Sequence, residues 1–109
     1  MNYERRVQMS QIAVVVKLKI KEGQRDAFTA IALQGVESAK SEPGTTIYSF
    51  HHDAVDSNVV WFFEIYADKA GADAHSGAAS FRAWSKSLAP FVDGAPEMSF
   101  LTPIGGKGI

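Results

Sequence analysis

Residues 59–67 read VVWFFEIYA, and this run is apolar on both parities of an extended chain. Successive side chains of a strand point to opposite faces, so Trp61, Phe63 and Ile65 share one face while Val60, Phe62 and Tyr66 share the other. A strand with one wet face alternates apolar and polar residues, whereas a strand buried on both faces reads like this one. The stretch from Ile12 to Lys21, IAVVVKLKIK, repeats the theme. Ile12, Val14, Val16, Leu18 and Ile20 fall on one face, and Ala13, Val15, Lys17 and Lys19 on the other. Whatever sheet these strands build needs apolar cover on two sides.

The rest of the chain supplies cover for one side. From Gln24 the period turns helical, with Phe28, Ile31, Ala32, Gly35, Val36 and Ala39 on one stripe. That helix is expected to end near Ser41, because Pro43 restricts the residue before it and Gly44 permits a turn. Thr45 to His52 reads as a second strand, rich in β-branched and aromatic residues. A polar loop of hairpin length over 53–58 leads to the third strand, Val59 to Ala67. Asp68 suits the N-cap of a short helix through Ser76. Gly77 interrupts it, and a second helical run carries Phe81, Trp84 and Leu88 before Pro90. A last strand is expected from Glu97 to Thr102. The order β-α-β-β-α-β, with the second helix broken in two, predicts an α+β fold of the ferredoxin-like type. It has a four-stranded antiparallel sheet with helices on one face. The other apolar face then calls for a second copy packed sheet against sheet, so a homodimer is expected.

The chain has 109 residues, the size of one domain. It contains no cysteine, which excludes disulfides, thiolate metal sites and thiol nucleophiles. A net charge of −1 offers no field for nucleic acid or an anionic membrane. No apolar run reaches the ~20 residues of a membrane span. The N-terminal residues carry charges without an apolar stretch behind them, so they do not read as a signal peptide and the expected location is cytoplasmic. They read instead as a disordered lead, within which Met9 could serve as the start. Residues 1–11 and 104–109 are expected to be tails around a domain spanning 12–103.

Several features occur in an order that resembles a known family. A strand of VVVKLKIKEGQ type leads into the first helix. Then come Ser41-Glu42-Pro43-Gly44 and Tyr48, and Phe63-Glu64-Ile65-Tyr66. Asp68, Ala70 and His75 follow, then Phe81, Leu88 and Pro90. This pattern resembles the antibiotic biosynthesis monooxygenase domain family, within the dimeric α+β barrel superfamily, over about residues 12–103. The resemblance implies a homodimer with a pocket between sheet and helices. It also implies a choice of chemistries: cofactor-free oxidation of quinols and anthrones, isomerisation of a phosphorylated sugar, or haem degradation. Haem-degrading relatives carry Trp and then His along the second helical region. Here His75 precedes Trp84, a departure that argues against haem.

His75 is the leading catalytic candidate, since the family often has a histidine there and an imidazole suits proton transfer near neutral pH. Glu64 is the second. A carboxylate among aromatics needs a partner, and the expectation is that Glu64 and His75 approach each other, in a catalytic pair or in a structural tie. Tyr66, Phe81, Trp84, Trp61, Tyr48 and His51 are candidates to line an aromatic substrate pocket, with core packing as the competing explanation for most of them. His51 and His52 are adjacent on a strand and point apart, so they cannot share a metal, and no metal or cofactor site is expected. Gly105-Gly106-Lys107-Gly108 lacks the strand-to-helix setting of a nucleotide site.

The function expected from these residues is a cofactor-free monooxygenase using O2 on a small aromatic quinol or anthrone-like substrate. The alternatives are a proton-transfer enzyme or isomerase acting on a small carbonyl compound, and a non-catalytic small-molecule binding module. A phosphorylated substrate would want a basic side chain in the pocket, for which Lys17 and Lys19 are the nearest candidates.

Overall fold

The computed structural model describes residues 10–109. The N-terminal lead, including Met9, lies outside the described residues. Four strands, β1 (Ile12–Lys19), β2 (Thr45–His52), β3 (Val59–Tyr66) and β4 (Glu97–Leu101), form one sheet in the order β2-β3-β1-β4. Every neighbouring pair is antiparallel. Helices α1 (Arg25–Ala39), α2 (Lys69–Gly77) and α3 (Ala79–Leu88) pack on one face, and a short 3-10 turn over Ala89–Phe91 follows α3. This is the α+β ferredoxin-like fold expected from the element order, and the sheet stays open at β2 and β4.

The ends of the elements differ slightly from the sequence expectation. The ladder of β1 stops at Lys19, and Ile20 pairs only through an isolated bridge to Val92. β3 ends at Tyr66 and β4 at Leu101, each one residue early. Gly77 stays helical. The break falls at Ala78, whose ψ of 140° is extended and which starts α3 as its N-cap. Asp68 caps α2 as expected, its side chain accepting from the Gly71 N–H at 2.8 Å.

Register settles which side chain faces the helices. Val14 stands opposite Glu64, Val16 opposite Phe62 and Leu18 opposite Val60. These residues, with Tyr66, form the helix-facing side and pack against Phe28 and Ala32 of α1 and Leu88 of α3. Phe28, Ala32 and Val60 are completely buried. The opposite side carries Ala13, Val15, Ile47, Phe63, Ile65 and Leu101, and no helix among the described residues lies over it. There Phe63 is 46% exposed and Leu101 51%, so this face remains apolar and open in the single chain.

Two close approaches fix the helix layer over the sheet. Trp84 of α3 lies against Gly35 of α1, where a Cβ would collide with the indole ring. The indole N–H donates to the Ile31 carbonyl at 2.8 Å, which locks the ring in place. At the other end, Gly44 and Gly71 meet backbone to backbone, and a Cβ on Gly71 would lie 2.6 Å from the Gly44 oxygen. No larger residue would let the turn before β2 sit this close to α2.

Candidate functional site

Between the helix-facing side of the sheet and the helices lies a cavity of about 470 Å3. Its floor is Val14, Val16, Leu18 and Phe62. One end carries Tyr48, Glu64, Tyr66 and His75. The other end is apolar, built from Leu88, Val92, Pro96, Met98 and Phe100. Phe81 and Trp84 of α3 form the wall nearest α1. A smaller, more polar cavity of about 190 Å3 sits on the far side of that wall and is lined by Gln34, Ser38, Glu42 and Ser80. Tyr48, His75, Phe81 and Trp84 border both cavities.

His75 is the hinge of the arrangement. It is 7% exposed, the one buried polar side chain among the described residues. Its ring is caged by Phe81, Tyr48 and Tyr66 at centroid distances of 4.8, 4.9 and 5.3 Å. Nδ1 lies 2.7 Å from Glu42 Oε1. Nε2 is buried and has no hydrogen-bond partner among the described residues. Buried polar atoms are rarely left this way, and such an atom calls for a reason, a catalytic role among them.

The expected pairing of Glu64 with His75 is corrected here: the carboxylate bonded to the imidazole is Glu42. Glu64 accepts instead from Tyr66 Oη at 2.5 Å. The reason is topological. Glu64 and Tyr66 are two residues apart on one strand face, so their side chains meet, whereas Glu42 sits on the turn that Gly44 presses against α2, one helical turn before His75. A β-bulge between Thr45 and Ile47 then aims Thr45 at the same turn. Thr45 Oγ1 donates to Glu42 Oε1 at 2.7 Å.

The electrostatics of the larger cavity follow from the burial of its polar side chains. Burial raises the Glu64 carboxyl above its ordinary value, against the opposing pull of the Tyr66 hydroxyl and of His75. Burial, with Glu64 and Glu42 nearby, pushes the Tyr48 phenol upward. Burial and the bond to Glu64 do the same for Tyr66. Both tyrosines are therefore hydrogen-bonding groups at neutral pH.

The structure brings His75, Glu64, Tyr66, Phe81, Trp84 and Tyr48 together at this cavity. It does not bring Trp61 or His51, which are corrected: both lie on the opposite sheet face. Parity already forbids Trp61 and Tyr66 from sharing a face, being five residues apart on one strand. Trp61 Nε1 donates to Asp53 Oδ1 at 2.9 Å, pinning the β2–β3 loop. His51 stands opposite Trp61, bonds Ser49 Oγ at 2.8 Å and packs on Phe63. His52 points the other way and meets Thr29 Oγ1 at 2.8 Å. Glu42 is the site residue that the sequence reading missed. Its Pro-Gly context reads as a turn, and nothing local points to a histidine 33 residues away.

No lysine or arginine among the described residues lines the larger cavity. Lys17 is on the other face, 3.8 Å from Glu97 and over the Trp61 ring, and Lys19 shares its parity. The described residues also hold no group of three or more His, Asp or Glu side chains placed to bind a metal ion. No helix among them is long and apolar enough to cross a membrane.

Comparison with known proteins agrees with this layout. The sequence model of the antibiotic biosynthesis monooxygenase family matches residues 11–87. A Caulobacter crescentus structure described as a candidate antibiotic biosynthesis monooxygenase superposes with a TM-score of 0.85 at 25% identity, covering 94% of this chain and 98% of that one. A Chloroflexus aurantiacus structure with the same description gives 0.78 at 29% identity, covering 92% and 99%. One from Nitrosomonas europaea gives 0.83 at 20% identity over 89% and 93%, a likeness of fold. The uncharacterized Synechocystis protein sll1783 is 34% identical over 64 residues, which are 59% of this chain and 44% of that protein's length. A ferredoxin-like sheet with a cavity under its helices, matched by that family's sequence model over most of its length, makes this chain a member of the antibiotic biosynthesis monooxygenase family.

Proposed function

We propose that the chain is a cofactor-free monooxygenase that oxidises a neutral, electron-rich aromatic substrate, of the quinol or anthrone class, with O2. The observation that carries this reading is the His75 ring, which borders the aromatic cavity: Nδ1 is engaged by Glu42, and Nε2 is buried without a partner among the described residues. In this reading Nε2 takes a proton from the substrate's hydroxyl, or from the acidic carbon of its keto form. The resulting anion passes an electron to O2, and the radical pair joins to form a carbon–oxygen bond. The hydroperoxide then loses water. One oxygen atom stays as the new carbonyl, and the other leaves as water with two hydrogens from the substrate, one of them returned by His75. Four electrons reach O2, all from the substrate. The protein's part is to orient the ring, to hold the proton, and to exclude water from the anion. In this reading Tyr48 donates to an oxygen atom of the substrate, Tyr66 keeps its hydrogen on Glu64 and can only accept from the substrate, and Phe81 and Trp84 stack on its rings.

The cavity's charge separates this reading from isomerisation of a phosphorylated sugar. No lysine or arginine among the described residues lines it and Glu64 does, so a phosphate would find no basic partner in the wall, where Asp73 is already paired with Lys69 at 2.7 Å. A neutral carbonyl compound isomerised by the same base, or a ligand bound without turnover, remains distinguishable by experiment. An oxygen electrode with reduced naphthoquinols and anthrones is expected to register enzyme-dependent uptake above autoxidation. Proton exchange into the substrate from D2O with no uptake would favour the isomerase, and tight binding with neither would favour the binding module.

The open sheet face supports a homodimer as the working unit. Ile47, Phe63, Ile65 and Leu101 would bury one another across a two-fold axis, as isologous apolar faces do. Sedimentation equilibrium at micromolar concentration is expected to return twice the chain mass, and a monomer there would contradict it.

A further inference from the structure

We propose that Glu42 is a positioning residue, which fixes the tautomer of His75 so that Nε2 is the proton acceptor. The inference rests on His75 being the base of the reaction proposed above, and it adds how the chain makes it one. A neutral imidazole carries one N–H, and the partner of one nitrogen decides the role of the other. Glu42 is acceptor-only when ionised, so the nitrogen facing it must be the one that donates. With Nδ1–H given to Glu42 at 2.7 Å, the lone pair is left on Nε2, the nitrogen without a partner.

Three features hold Glu42 to this task. Its Oε1 receives a second hydrogen bond, from Thr45 Oγ1 at 2.7 Å, which limits rotation of the carboxylate. The bulge after Thr45 is what lets that hydroxyl face the helix layer together with Tyr48. The glycine contact does the rest: Gly44 lies two residues after Glu42, Gly71 lies one turn before His75, and their backbones touch. The Glu-Pro-Gly turn thus supplies both the orienting carboxylate and the clearance that brings it to the histidine. Glu64, although in the same site, accepts from Tyr66, whereas the bond of the imidazole goes to Glu42.

The test is the tautomer itself, read without substrate. Long-range proton–nitrogen NMR spectra of 15N-labelled protein, with His75 assigned by loss of its signals in His75→Gln, report which ring nitrogen carries the proton. At a pH where the ring is neutral, wild type is expected to show protonated Nδ1 and bare Nε2. Glu42→Gln keeps an acceptor oxygen, with Thr45 donating to it, and is expected to retain that pattern. Glu42→Leu removes the acceptor and is expected to move the proton to Nε2. Where wild type turns over an anthrone, Glu42→Leu should lower kcat by at least about tenfold, part of the ~10²–10⁴ that a general base contributes, with KM changed less than about twofold. Protonated Nε2 in wild type, or a Glu42→Leu protein that keeps bare Nε2, overturns the proposal. Should Glu42→Leu fail to fold, wild type and Glu42→Gln still decide it, because a proton on Nε2 in either is contradictory. Absence of oxygen uptake with bare Nε2 in wild type would sink the oxygenase reading and leave the assignment of Glu42 standing.

Discussion

The two faces of this sheet carry similar amounts of apolar side chain and meet different fates. On β3, Val60, Phe62 and Tyr66 are buried beneath the helices at 0, 3 and 2% exposure, while Phe63, their neighbour on the same strand, is 46% exposed. The covered face is also where the chemistry collects. Glu64, Tyr48 and His75 sit there among aromatic rings, with the polar groups held at one end of the cavity. The open face has polar groups too, but His51, Ser49 and Trp61 spend theirs on local bonds. On the reading proposed above, an apolar surface serves as a site when a helix layer encloses it around an unsatisfied polar atom, and as an interface when none of the described residues covers it.

This contrast can be broken by substitution, beginning with the largest effect. His75→Gln should reduce oxygen uptake by on the order of 10² or more in kcat while leaving the assembly intact, as checked by uptake rate and sedimentation. Phe62→Ala, on the covered face, should cost about 3–5 kcal/mol in urea unfolding at fixed protein concentration. Phe63→Asp, one residue away on the open face, should do something different in kind. It should shift the sedimentation equilibrium from dimer to monomer, because a carboxylate would be buried unpaired in the interface. If Phe63→Asp instead stays dimeric, the open face is not the interface.

A finer test uses pH. Burial holds the Glu64 carboxyl above its ordinary value, so the folded chain binds that proton more tightly than the unfolded chain does. The stability this contributes is complete below the unfolded value near 4.5 and is lost as pH rises through the folded one. Glu64→Gln cannot ionise and still accepts from Tyr66. Its stability relative to wild type should therefore improve as pH rises from about 4.5 through the folded value and be flat below that window, as urea titrations at several pH values would show. The smallest expected effect is Asp68→Ala. Loss of the α2 cap should cost about 0.5–2 kcal/mol in urea unfolding, and uptake by the folded protein should change little, because the bond from His75 to Glu42 does not involve the cap.

The order of elements was legible because each strand alternates or saturates and each helix keeps a stripe of its own. The pairing of β3 with β1 follows from two runs that both demand cover. The site was only half legible. Phe81 and Trp84 could be found because helical spacing puts them on one stripe of α3, and His75 because the family resemblance marks that position. Trp61 and His51 were misplaced because composition marks an aromatic as interesting without saying which face it occupies, and the register that decides this belongs to the partner strand. Glu42 was invisible because its role depends on a backbone contact between two glycines far apart in the chain. A local reading sees only a turn.

The most direct measurement of the central claim is the initial rate of oxygen consumption with a saturating neutral anthrone, for wild type and His75→Gln side by side and with both shown to be folded. A wild-type rate well above autoxidation that falls to the blank in His75→Gln is the result this account predicts. Equal rates for the two proteins would contradict it, because the oxidation would then proceed without the base that the cavity is built around.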